Sequence, residues 1–256
     1  MTADVNLQDK VAIVTGASRG IGAAIAHAFV AAGAQVVISS RKMANLQPVE
    51  AEINAAFPGR VLAVQAHAGR GEETQNLVEQ TVRHFGRVDI AVNNAATNPH
   101  FGPLLAASPE QWDKILAVNV KGYFWLCQAA AQQMQKQGTG GKLINIASIA
   151  GLKPGAMMGV YSVSKAAVIM MTRVLAVELG GDNIQVNAVA PGFIKTRFSA
   201  ALWQNPALAN EIIQRTPAGR IAEPDAITGI VTYLASPASD FTTGEVFTVD
   251  GGYTLA

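Results

Sequence analysis

Tyr161 and Lys165 stand four residues apart at the head of a segment whose apolar spacing, through Ala166, Val168, Met170 and Leu175 to about Leu179, predicts a helix. That separation puts a phenol and an ammonium on one helix face. A phenol titrates near ~10 in water, too high for ready proton exchange at neutral pH, and an adjacent cation lowers it by roughly 1 to 3 units. So tuned, Tyr161 is a general acid for reducing a carbonyl or a general base for oxidising an alcohol. By spacing alone the pair is also an ordinary surface Tyr and Lys. Lys165, however, is the only charge between Lys153 and Arg173, in a segment apolar enough to be packed, and a lone ammonium there needs a partner or a task. Thirteen residues before Tyr161, the run Lys142 to Ala147 ends at Ser148. A hydroxyl at the C-terminal edge of a strand lies where open α/β sheets bind ligands, so Ser148 either holds a substrate oxygen or caps a turn.

A second segment, Thr15-Gly16-Ala17-Ser18-Arg19-Gly20-Ile21-Gly22, joins the first strand to the first helix. Glycines allow a tight turn and close approach of a pyrophosphate, and the helix N-terminus offers free amides and the positive end of its dipole. The spacing alone suits a plain turn; its place in a βαβ unit suits a dinucleotide. An acid ending the second strand would bind ribose hydroxyls and repel a 2′-phosphate. Here that strand ends Ser39-Ser40-Arg41-Lys42. Arg41 can grip a phosphate bidentately, Ser40 is a small donor, and Arg19 is close in the expected geometry. NADP(H) is therefore expected over NAD(H), the alternative being that Arg41 and Lys42 are a solvated loop.

The elements that must position these groups follow from periodicity. Val11 to Thr15, Val36 to Ser39, Val61 to Gln65, Ile90 to Asn93, Lys142 to Ala147, Ile184 to Val189 and Glu245 to Val249 read as strands, with helical segments between them and Gly33 placed to stop the first helix. Strands apolar on both faces belong to a parallel sheet covered on both sides. The expected fold is α/β: one Rossmann-type domain over residues 1–256, a doubly wound sheet of six to seven strands. No linker or repeat divides the 256 residues.

Half the residues are hydrophobic and 14% are charged, which suits a compact enzyme that also packs against copies of itself. A net charge of +1 without one-sign blocks argues against nucleic acid as a partner. The single cysteine, Cys127, excludes an internal disulfide and sits in an apolar helical stretch, as a core thiol would. The polar start MTADVNLQDK does not read as a signal peptide, and no apolar stretch is expected to span a bilayer, so a cytoplasmic protein is expected. His27, His84 and His100 have no acidic or cysteine partner at metal-ligand spacing, and no catalytic metal is expected.

Taken together, these motifs resemble those of the classical short-chain dehydrogenase/reductase family across essentially the whole chain. Thr15 to Gly22 is similar to the family's TGxxxGxG turn, Asn93-Asn94-Ala95 to the start of its NNAG segment, and Asn119, Ser148, Tyr161 and Lys165 to its catalytic tetrad. The resemblance implies that Lys165 also binds the nicotinamide ribose. It implies that Asn119 interrupts its helix so that its carbonyl holds a relay water, and that Pro191, Gly192, Ile194 and Thr196 fix the carboxamide. Gly16, Ser18, Arg19, Gly20, Ile21, Gly22, Ser40, Arg41, His67, Asn93 and Ala95 complete the expected cofactor contacts. Two departures stand out: Ala96 replaces the last glycine of NNAG, and His67 occupies the place of an acid that contacts adenine.

Around the open side of the nicotinamide, Leu152, Met157, Met158, Phe193, Phe198 and Trp203 would form a mostly apolar wall. That wall suits an aliphatic or aromatic ketone, with Met158, Phe193 and Trp203 as substrate contacts beside Ser148 and Tyr161. Lys195 to Arg215 reads as a substrate lid broken at Pro206. The segment from about Glu110 to Gln137 and the helix at Tyr161 carry surplus apolar surface, which implies a homodimer or homotetramer. A carbonyl reductase is the leading reading. A 3-oxoacyl-thioester reductase and a non-catalytic NADP(H) sensor are the alternatives; the sensor would be expected to lack the Tyr or the Lys. A lyase or epimerase would want more chain after Pro191.

Overall fold

In the computed structural model, which describes residues 5–256, each β-branched run pairs in parallel with its neighbours to build one sheet. Its strands are β1 (Val11–Thr15), β2 (Gln35–Ser40), β3 (Val61–Gln65), β4 (Ile90–Asn93), β5 (Gly141–Ile146), β6 (Ile184–Pro191) and β7 (Val246–Val249), in the order β3-β2-β1-β4-β5-β6-β7. The upper expected strand number is the observed one. The polar start of the chain lies partly outside the described residues, at positions 1–4.

Alternate residues of each strand face opposite layers. Ala12 and Val14 of β1 pack with Ile25 and Phe29 of α1 (Gly20–Ala31), Leu46 and Ile53 of α2 (Met43–Ala56) and Leu234 of the last α-helix, Thr228–Ala235. Ile13 of the same strand faces the other way. It joins Leu77 of α3 (Gly71–Phe85) and, beyond the eight-residue α4 (Pro109–Leu116), Leu126 and Met134 of α5 (Gly122–Gln137), with Ala176 of α6 (Gly159–Leu179). The long helical segment expected from Glu110 to Gln137 is thus α4 and α5 joined by one π turn, Ala117–Lys121, which carries Asn119. Ser108 and Gln111 open α4 with a reciprocal capping box.

One sequence expectation fails in this layer. Residues 159–182, α6 and the turn after it, are long and apolar enough to cross a membrane by length and composition. The reason is packing: Val168 and Ile169 are buried against the sheet side while Met170, Val174 and Val177 face outward, so apolar residues occur on both faces.

The lid segment forms α7 (Ala200–Trp203) and α8 (Pro206–Arg215). Pro206 opens α8 at its first turn behind Asn205, whose Oδ1 accepts from the amides of Ala207 and Leu208. The strand order reverses between β1 and β4, and at such a switch point the loops leaving the carboxyl ends of the strands part to form a crevice.

Candidate active site

The crevice begins at the glycine turn. Thr15 Oγ1 accepts from the amides of Asn94 (3.1 Å) and Ala95 (3.2 Å), and Asn94 Nδ2 donates to Thr15 O at 2.9 Å, which ties the ends of β1 and β4 together. Gly16 has φ +66°, and a Cβ there would lie 2.8 Å from Ala95 Cα, so the turn closes only with glycine. Arg19, the N-cap of α1, makes no side-chain capping bond, which leaves the first amides of that helix for a ligand.

From this turn a cavity of about 690 Å³ runs along the carboxyl edge of the sheet. Gly16, Ser18, Arg19, Gly20, Ile21, Ser40, Arg41, His67 and Ala95 line it on one side; Ser148, Tyr161, Lys165, Pro191, Gly192, Ile194 and Thr196 line it on the other. His67 Nδ1 accepts from the Gly69 amide at 3.0 Å, and burial, with Arg70 and Arg41 nearby, holds its imidazole below the usual range.

At the centre, Tyr161 is almost fully buried and is hydrogen-bonded to Ser148, whose Oγ also accepts from the Ala150 amide at 3.1 Å. Burial pushes the Tyr161 phenol up to about 12, against the pull of that bond. The sequence expectation was a phenol lowered by Lys165, and the geometry explains the difference. Lys165 Nζ donates to Ile146 O at 2.7 Å and to Tyr123 OH at 3.0 Å, and it lies 5.7 Å from the Tyr161 ring centroid. Burial also pulls the ammonium down to about 7, so near neutral pH much of its charge is gone.

Asn119 is fully buried beside this group. Its side chain accepts from Thr97 N (2.8 Å) and donates to Thr97 O (3.0 Å) and Ser164 Oγ (3.1 Å), and Ser164 in turn donates to Tyr161 O at 2.7 Å. The amide therefore fixes both the first turn of α6 and the strand-to-loop exit at Thr97.

Four expected contacts do not face the cavity. Gly22 packs inward, where a Cβ would meet Asn94 Nδ2 at 2.5 Å and Gly16 O at 2.7 Å; it permits the helix to approach the turn and touches no ligand space. Asn93 donates to Tyr123 O, Asn145 Oδ1 and Cys127 Sγ inside the core, and Asn94 takes its place in the lining. The side chain of Asn119 is enclosed as described, while the expected interruption of its helix is present as the π turn Ala117–Lys121. Trp203 is turned back to donate to Thr196 O at 2.9 Å, and Leu202 lines the cavity instead. Met158, Phe193 and Phe198 do line the apolar wall, whereas Leu152 and Met157 do not.

The sequence reading missed Tyr123 at Lys165, and it missed Lys114, Lys153, Arg197, Arg215 and Tyr253 in the lining of the cavity. Tyr123 gave no signal, being one aromatic among the apolar residues of a helix. Cys127 is the core thiol expected, its pKa pushed up to about 12 by burial. His27 does meet an acid, Glu52 at 3.5 Å, in an exposed pair between α1 and α2; among the described residues no cluster of three metal-binding side chains occurs.

A family model described as enoyl-(acyl carrier protein) reductase matches residues 16–254. Dehydrogenase/reductase SDR family member 4 of Oryctolagus cuniculus is 43% identical over 246 residues, 96% of this chain and 94% of that protein. Its Homo sapiens counterpart is 39% identical over 98% of this chain and 90% of its own. A short-chain type dehydrogenase/reductase from Mycobacterium marinum superposes with a TM-score of 0.93 at 37% identity, over 99% of this chain and 98% of its own. A gluconate 5-dehydrogenase from Burkholderia cenocepacia, solved with NADP and tartrate, gives 0.94 at 31% identity, over 99% of this chain and 98% of its own. With the glycine turn, the Ser148–Tyr161 pair and the seven-stranded sheet, these likenesses show that the chain belongs to the classical short-chain dehydrogenase/reductase family and is an oxidoreductase acting on alcohol and carbonyl groups.

Proposed function

We propose that the protein uses NADP(H) to reduce a ketone to a secondary alcohol, with Tyr161 as the proton donor. The observation that carries the reading is the single cavity that joins Arg41, at the end of β2, to the Ser148–Tyr161 pair. The residues present fit such a cofactor. Uncapped amides of α1, with Gly16, Ser18, Gly20 and Ile21, suit the pyrophosphate; Arg19, Ser40 and Arg41 suit a 2′-phosphate, with His67 at the adenine side and Ala95 beneath the dinucleotide. Pro191, Gly192, Ile194 and Thr196 suit the carboxamide, and Lys165 the ribose. Two NADP-bound neighbours, the Burkholderia cenocepacia enzyme and a gluconate 5-dehydrogenase relative from Beutenbergia cavernae, support this choice.

When bound, the nicotinamide exchanges a hydride with the substrate carbon. Ser148 donates a hydrogen bond to the substrate oxygen, and the Tyr161 hydroxyl delivers the proton to it. A phenol near 12 is protonated at neutral pH, so the hydroxyl is present as the proton donor. Lys165, fixed by Ile146 O and Tyr123 OH, has one N–H left to turn toward the cavity, where it orients the cofactor's ribose. Asn119 positions the backbone of Tyr161 through Ser164. The exposed apolar residues of α6, Met170, Val174 and Val177, support self-association into a homodimer or homotetramer.

The test is Tyr161→Phe. NADPH binding and unfolding should match the parent protein, while ketone-dependent NADPH consumption, followed by absorbance of the reduced nicotinamide, falls by about 10² to 10⁴. Turnover retained in this variant would mean that another group is the acid.

A further inference from the structure

We propose that the ketone carries a carboxylate, and that Arg215 in the lining of the cavity holds it; the proposal rests on the reading of Ser148 and Tyr161 as the reducing site. The chain as a whole is nearly balanced, with 19 Lys and Arg against 18 Asp and Glu. Its cavity is not. Among the described residues no Asp or Glu lines it, while Lys or Arg side chains do so along its length. A cleft lined by one sign of charge focuses its field on ligands of the other.

Part of that positive charge already has a use. Arg19 and Arg41 lie where phosphates are expected, and Lys165 is buried on Ile146 O and Tyr123 OH. Lys114 on α4, Lys153 in the loop after β5, Arg197 in the loop after β6 and Arg215 at the end of α8 remain. Lys153 Nζ donates to Ala256 O at 3.4 Å, and Arg197 has no hydrogen-bond or ion-pair partner among the described residues.

Arg215 is the one that is built in. Its guanidinium carbon lies 4.9 Å from the centroid of the Tyr253 ring, and Tyr253 meets Phe193 edge to face at 4.8 Å. This cation–π contact holds the guanidinium at the ring through its carbon and leaves N–H groups for a planar, bidentate acceptor. Its only ion pair among the described residues is with Glu211, one turn earlier on α8, at 3.8 Å with both side chains about half exposed or more, so it is worth little and yields to a better-placed carboxylate.

Met158 and Phe198 add apolar surface to the same lining, and the Phe198 ring lies 5.7 Å from that of Tyr161. Such a lining suits a short methylene chain. The substrate class that matches both groups is therefore an oxoacid, its ketone at Tyr161 and Ser148 and its carboxylate on Arg215. The reaction is balanced by the proposed activity itself: hydride from the reduced nicotinamide to the ketone carbon, a proton from Tyr161 to its oxygen, and no change at the carboxylate.

The test measures kcat/KM with NADPH for 4-oxopentanoate, 5-oxohexanoate and 6-oxoheptanoate against their methyl esters, at low and high salt. For the best chain length the acid should exceed its ester by about tenfold or more at low salt, and less at high salt. Arg215→Gln should bring that ratio close to one through the KM of the acid, and Arg215→Lys should restore part of it. An acid-to-ester ratio of one or less in the parent protein overturns the proposal. So does an equal loss on acid and ester in Arg215→Gln, or faster turnover of acetoacetyl-CoA than of every free acid. Esters reduced without preference for acids would remove this proposal and leave the ketone-reductase reading standing. No turnover of any carbonyl would remove both.

Discussion

Replacing Lys165 by Met removes an ammonium that the fold buries to 1% exposure. Burial pulls its pKa from 10.5 down to about 7. A base whose folded pKa lies below its unfolded value binds fewer protons in the native state. It therefore costs stability in full below about pH 7, and the cost fades as the pH rises from about 7 toward 10.5, above which both states are neutral. At roughly 1 to 2 kcal/mol per pKa unit the full cost is on the order of 5 kcal/mol, and about half of it should be recovered between about pH 6 and pH 9. Met approximates the volume, and Ile146 O keeps a donor in Tyr123 OH at 3.0 Å, so no carbonyl is orphaned. The variant lacks this titration. Urea unfolding of both proteins, at one protein concentration and without cofactor, should show Lys165→Met to be the more stable near pH 6 and the gap closing by roughly half near pH 9. Parallel stability curves would mean that Lys165 keeps an ordinary pKa in the fold and that the buried ammonium is not the costly group inferred from its surroundings.

Two further substitutions probe the cofactor end. Arg41→Ala should weaken NADPH binding by about ten- to a hundredfold, the worth of a charge-assisted phosphate contact, with little effect on NADH; fluorescence titration of both nucleotides checks this, and equal losses would refute the 2′-phosphate role. Gly22→Ala forces a methyl to within 2.5 Å of Asn94 Nδ2 and 2.7 Å of Gly16 O, so it should cost roughly 1 to 3 kcal/mol in urea unfolding and loosen the turn; a variant as stable as the parent would show that the helix can shift to make room.

Much of the fold was legible because the local and tertiary signals agree. Every strand is a short β-branched run bounded by turn residues, and both faces of the sheet are covered, so no run needed a partner pattern to be recognised. The site was legible where function needs a residue type at a fixed backbone position: Gly16 at positive φ, Ser148 at the exit of β5, Tyr161 and Lys165 one turn apart on α6. It was less legible where a motif residue serves the scaffold. Asn93 and Asn94 are adjacent and identical in type, yet strand alternation sends the first into the core to Asn145 and Cys127 and leaves the second at the cavity edge. A helix face likewise gives direction without reach: Lys165 shares the face of Tyr161, but its four-carbon stem carries the ammonium past the ring to Ile146 O.

Charge was the least legible property, for a topological reason. Arg19, Arg41, Lys114, Lys153, Arg197 and Arg215 are far apart in the chain, so although residues 10–49 and 114–177 carry no acid, the cations in them are too widely spaced for any short window to read as a basic cluster. A parallel sheet brings the carboxyl ends of all its strands to one edge, and the loops carrying Arg19, Arg41, Lys153 and Arg197 all leave from that edge, with Arg215 following on α8. No acid among the described residues lines the cavity: Glu52 and Glu79 lie on helix surfaces, Asp89 on Arg87 before the start of β4 and Asp240 on Lys142 at the opposite edge, while Asp250 and Glu73, near the carboxyl edge, are taken up by the amides of Gly252 and Thr254 and of His67. Net charge near zero for the chain is thus compatible with a cavity of one sign. Because every loop on that edge borders the same space, an anionic cofactor and an anionic substrate can be recruited by one field, the β2 end taking phosphate and the β6 end the carboxylate.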